Sequence, residues 1–286
     1  MCFIDWIQVI FYGIIEGITE WLPVSSTGHL ILLEKFIKMN FSEGFMDMFR
    51  VVIQLGAIMA VVIIYWSRIW FVDFHHFKER PTLKKSALSL WGKIIVACVP
   101  AAIVGVFFDD FFEALFYNEV SVAIALIVFG IAFIVIETIN RAKPYKVENV
   151  SDITYKLALL IGVFQLIAAV FPGTSRSGAT IVGALLLGVS RSAAADFTFF
   201  LAIPVMFGAS LLKVAKYSLE LMETGEVFTF TELGVLVVSM LVAFGVSMVV
   251  IKFLLKFIKK HDFKVFGWYR IALGLLVLGV FVVSLF

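Results

Sequence analysis

Two acidic residues and a histidine stand beside a run of hydroxyl side chains in EGITEWLPVSSTGHL, residues 16–30. Glu16 and Glu20 are four positions apart, so on a helix they share one face, where like charges repel. Inside a membrane each carboxylate would cost about 2.5 to 3.5 kcal/mol. Two carboxylates on adjacent turns suit a hard cation such as Mg²⁺ or Ca²⁺, and the spacing therefore predicts a cation site. The alternative is that one glutamate is protonated or reaches the membrane surface.

His29 follows the hydroxyl run and is the only histidine outside the basic loops of the sequence. It could act as a nucleophile, as an acid–base group or as the hydrogen-bonded partner of a carboxylate. Ser25, Ser26 and Thr27 are of the types that cap helix starts. Capping does not exclude chemistry, because the free N–H groups at a helix start also attract anions.

A second polar segment, PGTSRSG at residues 172–178, places Arg176 between Ser175 and Ser177. Its glycines allow the backbone to approach a ligand closely. An arginine within a membrane needs an anion, and its planar guanidinium matches phosphate oxygens at two points. The alternative is a salt bridge with one of the two glutamates. Both interpretations hold if Arg176 rests on a glutamate until a phosphate arrives.

These polar segments lie in a chain of 286 residues that is 62% hydrophobic and 15% charged, with a mean hydropathy of +1.06. Such a composition predicts an integral membrane protein in contact with membrane lipids. Cys2 and Cys98 form no motif for a disulfide framework or a thiolate metal site. Asp5 and the lack of a basic start argue against a cleavable signal peptide. The net charge of +2 says little about partners, and we expect no nucleic-acid partner.

The distribution of charge predicts which loops lie on which side of the membrane. Sixteen of the 23 Lys and Arg residues fall within residues 67–93, 138–156 and 252–270, which the positive-inside tendency places in the cytoplasm. The acidic stretches 109–119 and 214–232 would then be external. Six full crossings follow from these sides, at residues 48–66, 91–108, 119–137, 197–213, 233–251 and 268–286.

Two apolar stretches remain, residues 3–38 and 157–190, and each is interrupted by Pro, Gly and hydroxyl residues. Their motif residues have the same mutual spacing, which indicates a duplication: Gly13, Glu16 and Pro23 in the first, and Gly162, Gln165 and Pro172 in the second. We predict a single membrane domain over 1–286, with repeat one at 1–140, a linker at 141–152 and repeat two at 153–286.

The predicted fold is an all-α polytopic membrane protein with an inverted-topology repeat, six transmembrane helices and two re-entrant helical hairpins. Three crossings per copy invert the second copy relative to the first. Irregular backbone inside a membrane is tolerated only where protein or a watery cavity satisfies it. The two broken tips are therefore expected to meet and to line one cavity that handles phosphate, such as a lipid diphosphate.

The motifs EGITEWLPVSSTGHL and PGTSRSGATI resemble those of the undecaprenyl-diphosphatase family, bacterial membrane enzymes also called bacitracin-resistance proteins. The resemblance implies hydrolysis of undecaprenyl diphosphate to undecaprenyl phosphate and inorganic phosphate, which recycles the lipid carrier of cell-wall synthesis. It further implies a plasma-membrane location, a site open toward the outer face, and a need for Mg²⁺ or Ca²⁺.

The resemblance also implies roles for individual residues. Glu16 and Glu20 would bind the metal or order water, Ser26 and His29 would supply the nucleophile and its acid–base partner, and Arg176 would hold the phosphates. Further contacts with the substrate are expected from Ser25, Thr27, Gly173, Ser175, Ser177 and Thr180. The base for Ser26 is either His29 or a glutamate, and direct attack by His29 or by water is an alternative.

A secondary transporter or flippase of a lipid phosphate or another anion is the rival interpretation, because broken helices in inverted repeats are frequent in transporters. A type 2 phosphatidic acid phosphatase is a further enzyme class to consider. That chemistry uses two histidines, and because this chain has only one in its membrane core, the sequence argues against it. The chain length of the polyprenyl substrate and the oligomeric state are not readable from the sequence, which is compatible with a homodimer. The loop FHHFKERP, residues 74–81, has no evident role.

Overall fold

The computed structural model of the protein describes residues 3–37, 39–73, 82–141 and 143–284, so the FHHFKERP loop lies outside the described residues. The described chain is almost entirely helical. The helices are α1 Phe3–Thr19, α2 Ser26–Phe36, α3 Glu43–Val52, α4 Gln54–Ile64, α5 Trp66–Ile69, α6 Lys85–Phe107, α7 Asp109–Phe116, α8 Glu119–Asn140, α9 Tyr155–Val170, α10 Arg176–Leu186, α11 Arg191–Thr224, α12 Phe230–Ile258 and α13 Lys264–Ser284. Two short strands, β1 Val72–Asp73 and β2 Thr82–Leu83, pair antiparallel.

Six helical segments in the described part are long and apolar enough to cross a membrane, which confirms the predicted crossings. They are Glu43–Ile64, formed by α3 and α4, together with α6, α8, α11, α12 and α13. The protein is therefore a multi-pass membrane protein. The largest difference is α11, which extends well beyond the predicted 197–213, because no residue stops the helix until Gly225 adopts a left-handed conformation with φ of 72°.

The two leftover segments form helix pairs that break at their polar motifs. Ser25 is the N-cap of α2 and accepts the N–H of Gly28 at 3.3 Å, and Ser175 is the N-cap of α10 and accepts the N–H of Gly178 at 3.2 Å. Both serines have positive φ values, 73° and 68°, and no other non-glycine residue of the described chain does. Such backbone conformations persist only where surrounding contacts hold them, and they cluster at functional sites.

The first helix of each broken pair packs against a long helix from the other half of the chain. A Cβ at Gly13 in α1 would lie 2.7 Å from the carbonyl oxygen of Ser239 in α12, and one at Gly162 in α9 would overlap with that of Ala97 in α6. Gly13 and Gly162, which occupy equivalent positions in the two motifs, thus both allow close packing against the backbone of a neighbouring helix. The repeat boundaries, the inverted orientation and the re-entrant path of the two pairs stay predictions.

Apolar packing fixes the backbone between α1 and α2. Trp21, at the break, is fully buried and meets the ring of Phe199 of α11 edge-on, with ring centroids 5.2 Å apart. The neighbouring Val24 is also buried in the same cluster. Burying a large aromatic side chain contributes about 1.5 to 3 kcal/mol, and here it anchors the residue that follows Glu20 in the chain.

Candidate active site

The two breaks lie in contact, and a salt bridge joins them. An Nη2 of Arg176, the first residue of α10, lies 2.9 Å from Oε1 of Glu20, which follows α1. The other terminal nitrogen of Arg176 donates to the carbonyl oxygen of Thr198 in α11 at 3.1 Å. The alternative role that the sequence suggested for Arg176 is thus present, with Glu20 as the partner. Its role in holding phosphates stays a prediction.

The second carboxylate oxygen of Glu20 faces a hydroxyl. Ser26, the first residue of α2, donates to Oε2 of Glu20 at 3.0 Å. The side chains of Glu20 and Arg176 are only 7% and 12% exposed, so water screens this pair weakly. One carboxylate therefore holds both the predicted nucleophile and the predicted phosphate ligand, in a nearly dry position.

Glu16 lies one turn before Glu20 and is fully buried. No donor group of the described residues reaches either of its carboxylate oxygens, although the carboxylate of Glu20 lies beside it and Arg176 is within electrostatic range. The described chain contains no cluster of three or more His, Cys, Asp or Glu that could hold a metal ion. Mg²⁺ needs only one or two carboxylates where phosphate oxygens and water complete its shell. The two glutamates fit such a cation.

His29 is fixed through both ring nitrogens. Its Nδ1 lies 2.7 Å from the carbonyl oxygen of Ser25, and because a carbonyl only accepts, Nδ1 carries the proton. Its Nε2 lies 2.7 Å from the hydroxyl of Tyr269 in α13, and the two rings stack with centroids 5.6 Å apart. Of the two bases that the sequence left open for Ser26, the glutamate is thus the one in hydrogen-bonding contact.

The hydroxyls of the second break hold one another and the start of α10. Ser175 and Ser177 have their Oγ atoms 3.1 Å apart, and Ser177 also donates to the backbone carbonyl of Glu20 at 3.4 Å. Thr180 donates to the carbonyl of Arg176 at 2.9 Å and shares a hydrogen bond with the hydroxyl of Thr198. These contacts orient Arg176. Direct contacts of the three hydroxyls with a substrate stay predictions.

Gly173 is a packing requirement at the second break. Its φ is +89°, and a Cβ there would lie 2.8 Å from the Cα and carbonyl oxygen of Val122 in α8. Only glycine combines that conformation with so close an approach. Thr27 lies half-buried in the first turn of α2. The expected substrate contacts of both residues stay predictions.

Arg270 is a site residue that sequence analysis missed. It is fully buried and donates to the carbonyl oxygens of Pro23 at 3.3 Å, Gly173 at 3.0 Å and Thr174 at 2.7 Å, so one guanidinium ties both breaks together. The charge distribution groups Arg270 with the basic residues of the loop 252–270, but it lies inside α13. Its position within the predicted crossing 268–286 was a usable signal, because an arginine inside a membrane is rarely without a buried partner.

These features define a class: a multi-pass membrane protein in which two broken helix pairs bring carboxylates, hydroxyls and guanidinium groups into one buried polar site. The chain belongs to the family of the bacitracin resistance protein BacA, whose model matches residues 9–276. It is 57% identical over 281 residues to the undecaprenyl-diphosphatase of Desulfitobacterium hafniense, covering 98% of both chains. It is also 57% identical to undecaprenyl-diphosphatase 1 of Clostridium acetobutylicum, again over 98% of both chains. An undecaprenyl-diphosphatase of Enterococcus faecalis is 56% identical over 96% of this chain and 97% of its own.

Proposed function

We propose that this protein hydrolyses undecaprenyl diphosphate to undecaprenyl phosphate and inorganic phosphate, and so recycles the lipid carrier of bacterial cell-wall synthesis. The contact of Arg176 with Glu20, beside the Ser26 hydroxyl, is the observation that carries the proposal. It gathers a nucleophile, a base and a phosphate ligand within hydrogen-bonding reach. The names of the relatives support the same reaction, and no observation favours a transporter.

The reaction begins with Ser26. Its Oγ attacks the terminal phosphorus of the diphosphate while its proton passes to Glu20, which already accepts that hydrogen bond. The bond from this phosphorus to the bridging oxygen breaks, and undecaprenyl phosphate leaves. Water then attacks the phosphoserine, Glu20 returns the proton to the Ser26 oxygen as that bond breaks, and inorganic phosphate is released.

Arrival of the substrate releases Glu20 from its ion pair. In the structure, the guanidinium of Arg176 is bound to Oε1 of Glu20 at 2.9 Å. The diphosphate carries more charge than Glu20 and offers the guanidinium two oxygens, so Arg176 transfers to it. Glu20 is then free to take the Ser26 proton, and proton acceptance is coupled to an occupied site.

The divalent cation expected from the sequence, Mg²⁺ or Ca²⁺, would be held by Glu16 together with Glu20. It would supply charge neutralisation of the diphosphate and of the leaving phosphate. The buried, unpartnered oxygens of Glu16 support this assignment. Glu16 would thus serve as a ligand of the cation, while Glu20 remains the carboxylate in contact with the Ser26 hydroxyl.

The membrane location belongs to the same proposal. We place the chain in the bacterial plasma membrane, with residues 138–156 in the cytoplasm and the site opening toward the outer face. The distribution of Lys and Arg among the loops supports this orientation. The homodimer with which the sequence is compatible stays a prediction.

Phosphate release from undecaprenyl diphosphate in detergent tests the proposal, because transport has no meaning without a membrane. We expect release by the wild-type protein, its loss in EDTA and its recovery with Mg²⁺ or Ca²⁺. Glu16→Gln should raise the cation concentration needed for half-maximal activity by about tenfold, the effect of weakening one charged ligand. Wild-type protein that releases no phosphate with either cation would overturn the proposed function.

A further inference from the structure

A groove of about 400 Å³ lies between α6, α9 and α11, next to the site. Its walls are mostly small and apolar. They include Ala101, Ala102 and Gly105 of α6, and Val205, Gly208 and Ala209 of α11. Side chains of this size leave a smooth, narrow channel rather than a closely packed interface between two helices.

Two glycines in this groove have no packing partner. A Cβ at Gly105 or at Gly208 would meet no atom of the described chain within 4 Å, whereas one at Gly162 would meet the backbone of Ala97. Glycine within a helix has a cost in stability relative to alanine. Contacts inside the chain do not explain that cost at Gly105 and Gly208, and the space they leave is wide enough for a ligand.

The inner end of the groove carries polar atoms that lack partners. Gln165 of α9 lines it, is 2% exposed, and has neither its side-chain nitrogen nor its oxygen hydrogen-bonded within the described part of the chain. Arg176 lines the same end, and its Nε is also unpartnered. Leaving a buried amide without hydrogen-bond partners is destabilising, so a ligand that accepts from it is strongly favoured.

The outer part of the groove opens to the side of the helix bundle. Val106 is 64% exposed although it belongs to α6, a segment apolar enough to span a membrane. Ala102 and Gly208 are exposed as well. In a membrane this side faces lipid, so the groove leads from the hydrocarbon region to Arg176. An occupant must therefore have an anionic head and an apolar chain.

We propose that this groove binds the isoprene units nearest the headgroup of a polyprenyl diphosphate, and that the Gln165 amide donates to the diphosphate at its inner end. The inference rests on the proposed function and adds the site of the lipid tail to it. The neutral amide suits the task, since a carboxylate at that position would repel the diphosphate. The tail enters sideways from the bilayer, while the headgroup reaches Arg176 and Glu20.

Filling the groove tests where the tail binds. Gly208→Leu places a branched side chain in the open space, and we expect kcat/KM for farnesyl diphosphate to fall about tenfold as tail contacts are lost. Hydrolysis of methyl diphosphate, which has no tail, should be unchanged. Gly245→Leu in α12 is the matched control, because a Cβ there also meets no atom within 4 Å. Its activity on both substrates should equal that of the wild type.

The outcomes separate the two proposals. If Gly208→Leu acts like Gly245→Leu on farnesyl diphosphate, the groove holds only membrane lipid and the inference is wrong; an equal loss on both substrates is also against it. If the wild type releases phosphate from no diphosphate, the proposed function fails. Binding of radiolabelled farnesyl diphosphate to Gly208→Leu and Gly245→Leu then still tests the groove.

Gln165→Leu tests the inner end of the groove. The amide contacts the part common to both substrates, so kcat/KM should fall about tenfold for farnesyl and methyl diphosphate alike. The thermal unfolding midpoint should not fall, because the native amide makes no hydrogen bond within the described chain. Unchanged kcat/KM for methyl diphosphate would contradict the assignment of the amide.

Discussion

Arg176 and Glu20 hold each other in a position that a diphosphate must enter. A buried ion pair is stable only if both charges keep partners, and removing one partner leaves the other uncompensated. Thr198 supplies a carbonyl to the same guanidinium, which fixes its direction when Glu20 is released. The pair therefore keeps each group correctly placed before catalysis.

Replacing Arg176 should show how much of the catalysis its charge supplies. We expect Arg176→Ala to lower kcat/KM for undecaprenyl diphosphate by about 10² to 10³, the usual effect of losing one preorganised donor to transition-state charge. Arg176→Lys should recover only part of this, because an ammonium group cannot bind two oxygens in a fork. Initial rates of phosphate release measure both. Wild-type rates for Arg176→Ala would exclude it from the site.

The nucleophile can be identified by trapping the phosphorylated protein. With substrate labelled in the terminal phosphate, rapid acid quench should capture label on Ser26, because its Oγ is the group in contact with a carboxylate base. Ser26→Ala should remove the label, while His29→Ala should leave it. Phosphoserine survives acid and phosphohistidine does not, so acid-labile label would favour His29. No label in any variant would favour direct attack by water.

At the level of helices, the site depends on a contact that no motif contains. Arg270 of α13 donates to three backbone carbonyls, one from the first break and two from the second. Leaving a buried carbonyl without a donor destabilises the folded state. Because one guanidinium donates to carbonyls of both breaks, it also sets the distance between them. We call this set of contacts the Arg270 clamp. Ser25 and Ser175, whose positive φ values indicate backbone strain, lie at the two breaks that the clamp joins.

Arg270→Lys should therefore impair a residue that touches no reacting atom in the proposed mechanism. A lysine keeps the charge but cannot satisfy all three carbonyls, so we expect a lower unfolding midpoint and a kcat reduced about tenfold or more, with KM changed less. Arg68→Lys, at an exposed ion pair with Asp196, is the control and should change neither. Normal kcat and stability in Arg270→Lys would show that the clamp is dispensable.

For the whole molecule, the hydrophobic pattern predicted the six spans, because long apolar stretches have few alternatives in a membrane. The expectation that the two broken tips meet likewise placed Arg176 near the glutamates, and the salt bridge with Glu20 agrees with it. Tyr269 and Arg270 escaped prediction because they lie in an apolar helix without a motif. The contact of Tyr269 with His29 and the contacts of Arg270 with the two breaks arise from tertiary packing between helices that are distant in sequence. Sequence spacing also cannot show which base contacts Ser26.

The orientation in the membrane is testable with single cysteines in a protein whose Cys2 and Cys98 are replaced by serine. Asp152 and Glu226 are exposed and lie on loops predicted to face opposite sides. We expect a membrane-impermeant maleimide to label Glu226→Cys in intact cells, and Asp152→Cys only after permeabilisation. A permeant maleimide should label both in either condition. The reverse pattern would place the site opening on the cytoplasmic side.

The position of the clamp in the last helix has a consequence for biogenesis. Ribosomes make the first break early, so Glu16 and Glu20 enter the membrane long before the guanidinium groups that accompany them in the mature protein. Until α13 is inserted, the two halves lack the residue that ties them. A premature stop codon ahead of α13 would thus yield a chain that contains both signature motifs and is nevertheless inactive.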